Sequence, residues 1–246
     1  MKILVVMSDN RPIQTDLENA EYNSLTAAIN YNYCKINGYD FIYYQPYYKE
    51  IDLSSPYNCV HFHTGNVRST SWSKLLSVYL TMDMGYDYIV YIDTDAILKT
   101  MNYKIEDFIQ KYDNDFIFFD DSPNLRLNIS NTACAGFFIV KVSERTKSNI
   151  KEWYNNTTYP QFDVTPFYEQ TILNFCLSEK INMTIVPEIH FEEEPGQLVR
   201  HMHSGIMGLR WDYFIQYMKS HNIELSINSN INVISFDVTQ LSNLFI

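Results

Sequence analysis

The strongest constraint on the fold is an apolar run in the middle of the chain that ends in two carboxylates. Residues 85–98 have the sequence GYDYIVYIDTDAIL. The continuous apolar part, Ile89 to Ile92, is typical of a strand that is buried on both faces of a parallel sheet. Asp93 and Asp95 follow at its carboxyl end, which is the edge of an open α/β sheet where ligands bind. The sequence therefore predicts a central strand that carries two acidic side chains into a ligand site.

The two carboxylates have a functional and a structural interpretation. If the chain is still extended after Ile92, Asp93 and Asp95 point to the same side, because side chains alternate along a strand. Two like charges so close repel each other, and a bound divalent cation removes that conflict. Hard oxygen ligands suit magnesium or manganese. Asp-x-Asp is also common as a solvated turn, so the rest of the chain must decide between the two.

Composition limits the class of protein. The chain has 246 residues, of which 46% are hydrophobic, and this is enough for one large domain with a full core. A formal net charge of −11 argues against a nucleic-acid-binding surface, which needs a basic patch. The sequence contains neither GxGxxG nor GxxxxGK[ST], so the usual dinucleotide fingerprint and the P-loop are both excluded.

Cysteine spacing and the absence of targeting segments predict a compartment. Cys34, Cys59, Cys134 and Cys176 are widely spaced and form no CxxC, which favours free thiols in a reducing environment. The apolar run at the N-terminus is too short for a signal peptide. No stretch approaches the length of a membrane span. We therefore expect a cytoplasmic protein without an integral membrane segment, located in the host cytoplasm if the source is a virus.

The first fifth of the chain predicts an α/β domain. Residues 2–7 have the pattern of a buried strand, and a helix is expected from Thr15 or Asp16 to about Asn37, with Gly38 just beyond its end. A second strand follows at 40–44. Strand, helix, strand predicts parallel pairing. We expect one catalytic domain over residues 1–220, and a C-terminal extension over 221–246 that packs on it or is partly ordered.

The remaining elements follow from periodicity and capping residues. Residues 45–70 have no clear pattern, and 120–131 is expected to be a polar loop. Ser71 and Ser143 are expected to cap two helices, and Thr165 with Pro166 to begin a third. The other predicted helices and strands are 72–83, 105–111, 115–119, 134–142, 144–154, 182–186 and 209–220. Gly136, inside one of these strands, indicates a close approach of another group to the backbone.

Several short motifs occur in the order found in one known family. They are Trp72-Ser-Lys74 before the central run, Ala135-Gly-Phe-Phe-Ile-Val140, Glu169-Gln170, and His201-Met-His-Ser-Gly205. With the Asn37-Gly-Tyr-Asp-Phe41 turn, they resemble the blocks of metal-dependent glycosyltransferases of the GT-A fold. The resemblance is to the galactosyl- and mannosyltransferase family that includes plant xyloglucan xylosyltransferases and yeast Golgi mannosyltransferases, and it covers roughly residues 1–215. Two departures are Glu169, where the family shows Asp, and HMHSG in place of "H-F-x-G".

This resemblance implies a fold and a reaction. The fold is a mixed central sheet flanked by helices, and the reaction moves a sugar from a nucleotide-diphosphate donor to a hydroxyl of a glycan or other acceptor. The donor base is expected to be uracil, with guanine as the second candidate. The cofactor is expected to be Mn²⁺ or Mg²⁺, because a divalent cation stabilises the charge on the departing diphosphate. Nucleic acid is not expected as a partner, and the oligomeric state stays open.

The resemblance also assigns candidate residues to the metal and the donor. Asp93 and Asp95 would hold the metal together with a late histidine, His203 being favoured and His201 second. Lys74 would place a positive charge near the diphosphate. The residues expected to contact the nucleotide-sugar are Ser8, Asp9, Asn10, Lys74, Asp93, Thr94 and Gly136.

The candidate catalytic residues are Gln170 and Glu169. In the resembling retaining enzymes the Asp-Gln pair lies beside the donor sugar, so Gln170 is expected to face the anomeric carbon and Glu169 to bind sugar hydroxyls. An inverting enzyme would instead need a carboxylate base, for which Asp163, Glu169 and Glu192 to Glu194 are all available.

Two other interpretations stay open at this point. A haloacid-dehalogenase-type phosphatase also carries Asp-x-Asp after an apolar strand, but there the motif lies on the first strand. The domain could also be a sugar-nucleotide or glycan-binding module without turnover. Slow hydrolysis of the donor would distinguish an enzyme from such a module.

Overall fold

The computed structural model describes residues 1–50, 57–121, 132–187, 198–202 and 207–245 of the chain. Within them, the predicted α/β architecture is confirmed. Seven strands form one mixed sheet, in the order β11-β2-β1-β5-β8-β7-β9. They are β1 (Ile3–Ser8), β2 (Asp40–Tyr47), β5 (Tyr88–Ile92), β7 (Phe116–Asp120), β8 (Ala133–Lys141), β9 (Met183–Val186) and β11 (Asn232–Asp237).

The pairing of the strands places the central apolar run in the middle of this sheet. β1 pairs in parallel with β2 and with β5, as the strand–helix–strand opening predicts. β5 pairs on its other side with β8, which runs antiparallel. Every residue of β5 is buried. The carboxyl ends of β1 and β5 therefore lie side by side, next to the amino-terminal part of β8.

Two small antiparallel pairs lie outside the main sheet. β3 (Cys59–Val60) pairs with β4 (Val67–Arg68) inside the region that the sequence leaves unassigned. β6 (Ala96–Leu98) pairs with β10 (Val199–His201), so that His201 lies opposite Ala96. The second pair brings a late segment of the chain against the residues that follow the Asp-x-Asp motif.

The helices cover both faces of the sheet. The α-helices are α1 (Tyr22–Asn37), α2 (Ser73–Thr81), α3 (Ile105–Tyr112), α4 (Glu144–Asn155), α5 (Tyr168–Ile172), α6 (Met207–Ser220) and α7 (Ser242–Phe245). A π-helical stretch, Leu173–Leu177, continues α5, and Thr70–Trp72 is a 3₁₀ turn before α2. Alternate residues of β1 face opposite sides, so Leu4 and Val6 join one apolar core and Val5 and Met7 the other.

Three predicted helix starts are wrong by a few residues. Asp16 accepts a hydrogen bond from the Asn19 backbone in a turn, and α1 begins only at Tyr22. Ser69, rather than Ser71, accepts the capping hydrogen bond of the 3₁₀ turn before α2. The helix expected from Thr165 and Pro166 begins at Tyr168. Before α1 and α2 a short polar side chain stabilises a turn, and before α5 the Thr165 carbonyl accepts from the Tyr168 N–H. Sequence alone does not separate such turns from helix caps.

The C-terminal segment is part of the main sheet. β11 pairs in parallel with β2 along six residues and forms one edge. Phe236, Val238, Leu241 and Phe245 are buried in the core on one side of that sheet. The boundary expected at residue 220 stays a prediction. Among the described residues, no helix combines the length and apolar character that a membrane crossing requires.

Candidate functional site

A pocket of about 370 Å³ lies at the carboxyl ends of β1 and β5. It is where the sequence predicts a ligand site. The predicted residues that line it are Ser8, Asp9, Asn10, Asp93, Thr94 and Asp95. The other lining residues are Arg11, Tyr22, Ser69, Thr70, Ser71 and Tyr91.

The Asp-x-Asp motif adopts a turn. β5 ends at Ile92, and the Ala96 backbone N–H donates to the carbonyl of Asp93 at 3.0 Å. The chain is therefore not extended after Ile92, and the alternation of side chains along a strand does not explain how the two carboxylates are oriented. The two carboxylates still converge, because the tight turn holds Asp93 and Asp95 around a common centre.

Asp93, Asp95 and His201 form a candidate metal centre. One ligand atom from each of the three lies within 4.8 Å of those of the other two. His201 Nε2 is 2.9 Å from Asp95 Oδ1. The pairing of β10 with β6 delivers the histidine across more than a hundred residues of chain. His203, the histidine that the sequence favours, lies outside the described residues.

Gly136 of β8 lies directly against this cluster. Its carbonyl accepts a hydrogen bond from the Asp93 backbone N–H at 2.8 Å. A Cβ atom at position 136 would lie 2.5 Å from His201 Cε1 and 3.0 Å from Asp93 Oδ2. The close approach that the sequence indicates is therefore to the side chains of the metal cluster.

The electrostatics of the cluster keep its charges paired. Burial alone would lower the pKa of His201, but the charge of Asp95 and the hydrogen bond to it raise that pKa well above its ordinary value. Burial would raise the pKa of Asp95, but the charges of His201 and Arg210 lower it overall. Arg210 Nη2 donates to Asp95 Oδ2 at 2.7 Å.

Two carboxylates and one imidazole suit a divalent cation. Carboxylate oxygens are hard ligands for Mg²⁺ or Mn²⁺, and imidazole suits the transition metals. The missing side chain at Gly136 leaves space beside Asp93 and His201. The described residues therefore fit a metal of the kind that the sequence predicts.

Lys74, on the first turn of α2, is buried at the centre of the site, with 4% of its side chain exposed. Its Nζ lies 3.0 Å from Asp93 Oδ1, 2.7 Å from Glu169 Oε1 and 3.2 Å from the Ala135 carbonyl. Burial would lower the pKa of Lys74, but the charges of Asp93 and Glu169 raise it above its ordinary value. The ammonium thus links β5, α5 and β8.

Glu169 and Gln170 both lie on α5 and are buried. Glu169 Oε2 has no hydrogen-bond partner among the described residues. The amide of Gln170 is fully engaged, because Oε1 accepts from the Ala135 backbone N–H at 2.8 Å and Nε2 donates to Asp121 Oδ2 at 2.9 Å. The structure brings Glu169 next to Lys74 and places Gln170 between β8 and Asp121.

The residues that follow β1 connect to the Asp-x-Asp turn. Thr94 Oγ1 donates to Asp9 Oδ2 at 2.8 Å. Asn10 is buried, and its carbonyl accepts from Gln45 Nε2 at 3.3 Å. Ser8 Oγ lies 3.4 Å from Ser73 Oγ. These predicted donor contacts share one pocket wall.

Sequence reasoning missed several residues of the site. Arg11 and Tyr22 line the pocket, and Tyr91 Oη donates to Asp93 Oδ1 at 2.9 Å. Arg210 belongs to none of the motifs named above, and it is buried and holds Asp95. The usable signal was the position of Arg11, four residues beyond the predicted strand end at residue 7, in a chain with few basic residues.

Of the carboxylates considered for an inverting mechanism, Asp163 is engaged in an ion pair. Arg68 Nε lies 2.6 Å from Asp163 Oδ1, and both side chains are buried. The Arg68 guanidinium also packs 3.7 Å from the Trp72 ring centroid. Glu192 to Glu194 lie outside the described residues.

Comparisons with known proteins agree with this architecture. The family model described as nucleotide-diphospho-sugar transferase matches residues 28–223. No curated protein sequence matches the chain. Among solved structures, a glycosyltransferase involved in glycosylation of the major capsid of PBCV-1 has a TM-score of 0.64 at 15% identity, covering 88% of this chain and 100% of that one.

A second solved structure has the same fold. The glycosyltransferase GlyE of Streptococcus pneumoniae TIGR4 gives a TM-score of 0.50 at 11% identity, covering 91% of this chain and 65% of that one. At such identities the likeness concerns the fold alone. Together with the family match, it confirms the GT-A fold that the motifs of the sequence predict.

Proposed function

The chain belongs to the nucleotide-diphospho-sugar transferase family and is a glycosyltransferase, and from this premise we propose that it is a metal-dependent enzyme that uses a UDP-sugar donor. A GDP-sugar is the second candidate. The acceptor is a hydroxyl of a glycan or another molecule, in glycan biosynthesis, and transfer retains the anomeric configuration. A cytoplasmic location is part of the same proposal.

The observation that carries the proposal is the convergence of Asp93, Asp95 and His201 at the pocket. These residues would hold Mn²⁺ or Mg²⁺, and His203 stays a further candidate ligand. The cation would supply Lewis-acid stabilisation of the negative charge that develops on a departing nucleoside diphosphate. Lys74 adds a fixed positive charge beside Asp93.

The nucleotide is proposed to lie along the wall formed by Ser8, Asp9, Asn10 and Thr94. Two observations support this: Ser8 to Asn10 line the same pocket as the Asp-x-Asp turn, and Thr94 is hydrogen-bonded to Asp9. Gly136 is proposed to keep the donor site open, because any side chain there would meet Asp93 and His201.

The donor sugar is proposed to lie near Glu169 and Gln170. Glu169 has one buried carboxylate oxygen without a partner in the described part of the chain, which suits a sugar hydroxyl. The proposal that transfer retains the anomeric configuration is based on the resemblance of Glu169-Gln170 to the family's Asp-Gln pair. Asp163 is a poor candidate for the base of an inverting reaction, because Arg68 neutralises it.

The competing interpretations differ in what they predict for the donor. The phosphatase interpretation is set aside by membership of a transferase family. A binding module without turnover would bind the donor sugar-nucleotide and leave it intact. A catalytic domain would hydrolyse it slowly when no acceptor is present.

Calorimetric titration with UDP, GDP, CDP and dTDP, each with and without Mn²⁺, tests the proposal. We expect one nucleotide, UDP in the first place, to bind only with Mn²⁺, and Asp95→Ala to lose that binding. Asp83→Asn is the matched control, because Asp83 is exposed and its ion pair with Lys147 lies at the surface. Absence of binding to all four nucleotides, with and without metal, would refute the proposed function.

A further inference from the structure

The pocket that contains Asp93 and Asp95 also contains a guanidinium to which none of the roles above applies. Arg11 lies three residues beyond the end of β1, and it is the arginine among the described residues that line the pocket. About a quarter of its side-chain surface, 24%, is exposed. A cation that is held in a ligand pocket and is still accessible can contact the ligand directly.

Arg11 is fixed in one orientation. Its Nε and Nη2 donate to the two oxygens of Asp9 at 2.9 and 2.5 Å, and its Nη1 donates to Glu21 at 2.8 Å. The guanidinium carbon lies 4.4 Å from the centroid of the Tyr22 ring. A bidentate carboxylate contact and an aromatic face together restrict the plane of the guanidinium.

The fixed guanidinium keeps unused donors. A guanidinium has five N–H groups, and Asp9 and Glu21 occupy three of them. Within the described residues, no carboxylate or carbonyl accepts from the other two, one on each terminal nitrogen, and the Tyr22 hydroxyl competes for one of them. The group can therefore donate to a ligand, and it has no atom that can accept.

We propose that Arg11 recognises the base of the donor nucleotide at C4 of a pyrimidine or C6 of a purine, and selects a carbonyl oxygen there, as in uracil or guanine, over an amino group, as in cytosine or adenine. This inference rests on the proposed function, because it needs a nucleotide in the pocket. A carbonyl oxygen at that position accepts from the remaining guanidinium N–H, whereas an amino group there brings donor against donor. One good contact of this kind discriminates between bases by about tenfold or more.

Two features assign the base, instead of a phosphate, to Arg11. Asp9 already pairs with the guanidinium, so the group offers hydrogen bonds without an uncompensated positive charge, which suits a neutral base. Asp9 also accepts from Thr94, the residue between Asp93 and Asp95. A diphosphate at the metal cluster would therefore leave the nucleoside on the side of the pocket that Arg11 occupies.

The test compares matched pairs of nucleotides by calorimetry in the presence of Mn²⁺. The intact chain is titrated with UDP and CDP, and with GDP and ADP. We expect UDP to bind at least about tenfold more tightly than CDP if the pyrimidine pair binds, or GDP at least about tenfold more tightly than ADP if the purine pair binds. Equal affinities for both members of that pair would overturn the inference and leave the proposed function intact.

The variant Arg11→Met removes the donors and keeps much of the side-chain bulk. We expect its preference to fall to twofold or less, while pyrophosphate with Mn²⁺ binds within about twofold of the wild type. Arg145→Met is the matched control, since Arg145 pairs with Asp115 and is largely exposed. It should keep the full preference.

Two outcomes separate this inference from the proposed function. If Arg11→Met binds every nucleotide more weakly but keeps the wild-type ratio, Arg11 only supports the loop, and the inference is wrong. If Arg11→Met does not fold, Arg11→Gln is measured instead; its amide both donates and accepts, so a wild-type ratio would again overturn the inference. Failure of the wild type to bind any nucleotide would refute the proposed function itself.

Discussion

Lys74 and Glu169 form an ion pair of 2.7 Å in which each side chain has only 4% of its surface exposed. The same ammonium lies 3.0 Å from Asp93, a proposed metal ligand. One buried cation therefore compensates two carboxylates from different parts of the chain, Asp93 in the turn after β5 and Glu169 on α5. This relationship connects the fold to the proposed chemistry, because Glu169 cannot be buried there as a carboxylate without a positive charge beside it.

Replacing this cation should destabilise the protein strongly. We expect Lys74→Met to lower the free energy of unfolding by about 3 kcal/mol or more, because the variant leaves the buried Glu169 carboxylate without its cation. The measurement is urea denaturation, in which the midpoint should fall while the slope of the unfolding free energy against urea concentration stays unchanged. Lys147→Met is the control: its ion pair with Asp83 lies at the surface and should contribute less than about 1 kcal/mol. Equal losses in the two variants would contradict the central role of Lys74.

The contacts of Gln170 lead to a second prediction. Gln170→Ala should reduce sugar transfer greatly while nucleotide affinity stays near the wild-type value. It should also lower the free energy of unfolding by about 1–3 kcal/mol, because the Ala135 N–H and the Asp121 carboxylate each lose the hydrogen bond to Gln170.

A matched control separates these two effects. Asn174 supports the same strand, with its side chain hydrogen-bonded to both backbone groups of Ala133. Asn174→Ala should therefore lose similar stability and keep transfer. If Gln170→Ala turned over at the wild-type rate, Gln170 would not belong to the site.

The sequence was sufficient where the signal was local. The run from Ile89 to Ile92 predicted the buried strand, and its position before Asp93 and Asp95 predicted the pocket at the strand end. Gly136 predicted a close contact, because a glycine inside an apolar strand has few other reasons to occur there. These inferences need only residue type and spacing.

The rest of the site depends on contacts between distant parts of the chain. Arg210 holds Asp95 from 115 residues away, and no local pattern around Arg210 distinguishes it from a solvated arginine. The choice between His201 and His203 likewise depends on the register of β10 against β6, which places His201 opposite Ala96. The turn at Thr94 is a third case, since Asp-x-Asp is compatible with both extended and turn conformations.

Gly136 allows a direct steric test of the metal centre. Gly136→Ala would place a methyl group 2.5 Å from His201 Cε1 and 3.0 Å from Asp93 Oδ2, so the cluster must move. We expect Mn²⁺ binding, measured by calorimetry, to weaken at least about tenfold, and the free energy of unfolding to fall by about 1–3 kcal/mol. Val140→Ala, which removes atoms further along the same strand, where Val140 pairs with Ile89 and Phe116, should affect metal binding much less. Wild-type Mn²⁺ affinity in Gly136→Ala would show that the cluster does not bind the metal.

Histidine substitutions determine which late side chain completes the centre. His201 Nε2 lies 2.9 Å from Asp95 and within the cluster. We therefore expect His201→Ala to weaken Mn²⁺ binding by at least about tenfold, because loss of a residue that only supports a metal ligand already has an effect of that size. His61→Ala is the control for loss of a buried imidazole, since His61 contacts the Asn155 carbonyl away from the cluster. It should change stability and leave Mn²⁺ affinity within about twofold. His203→Ala, measured in parallel, tests the ligand that the sequence favours. If only His203→Ala lost the metal, His201 would act as the hydrogen-bond partner of Asp95, and the coordination would have to be assigned to the segment that follows β10.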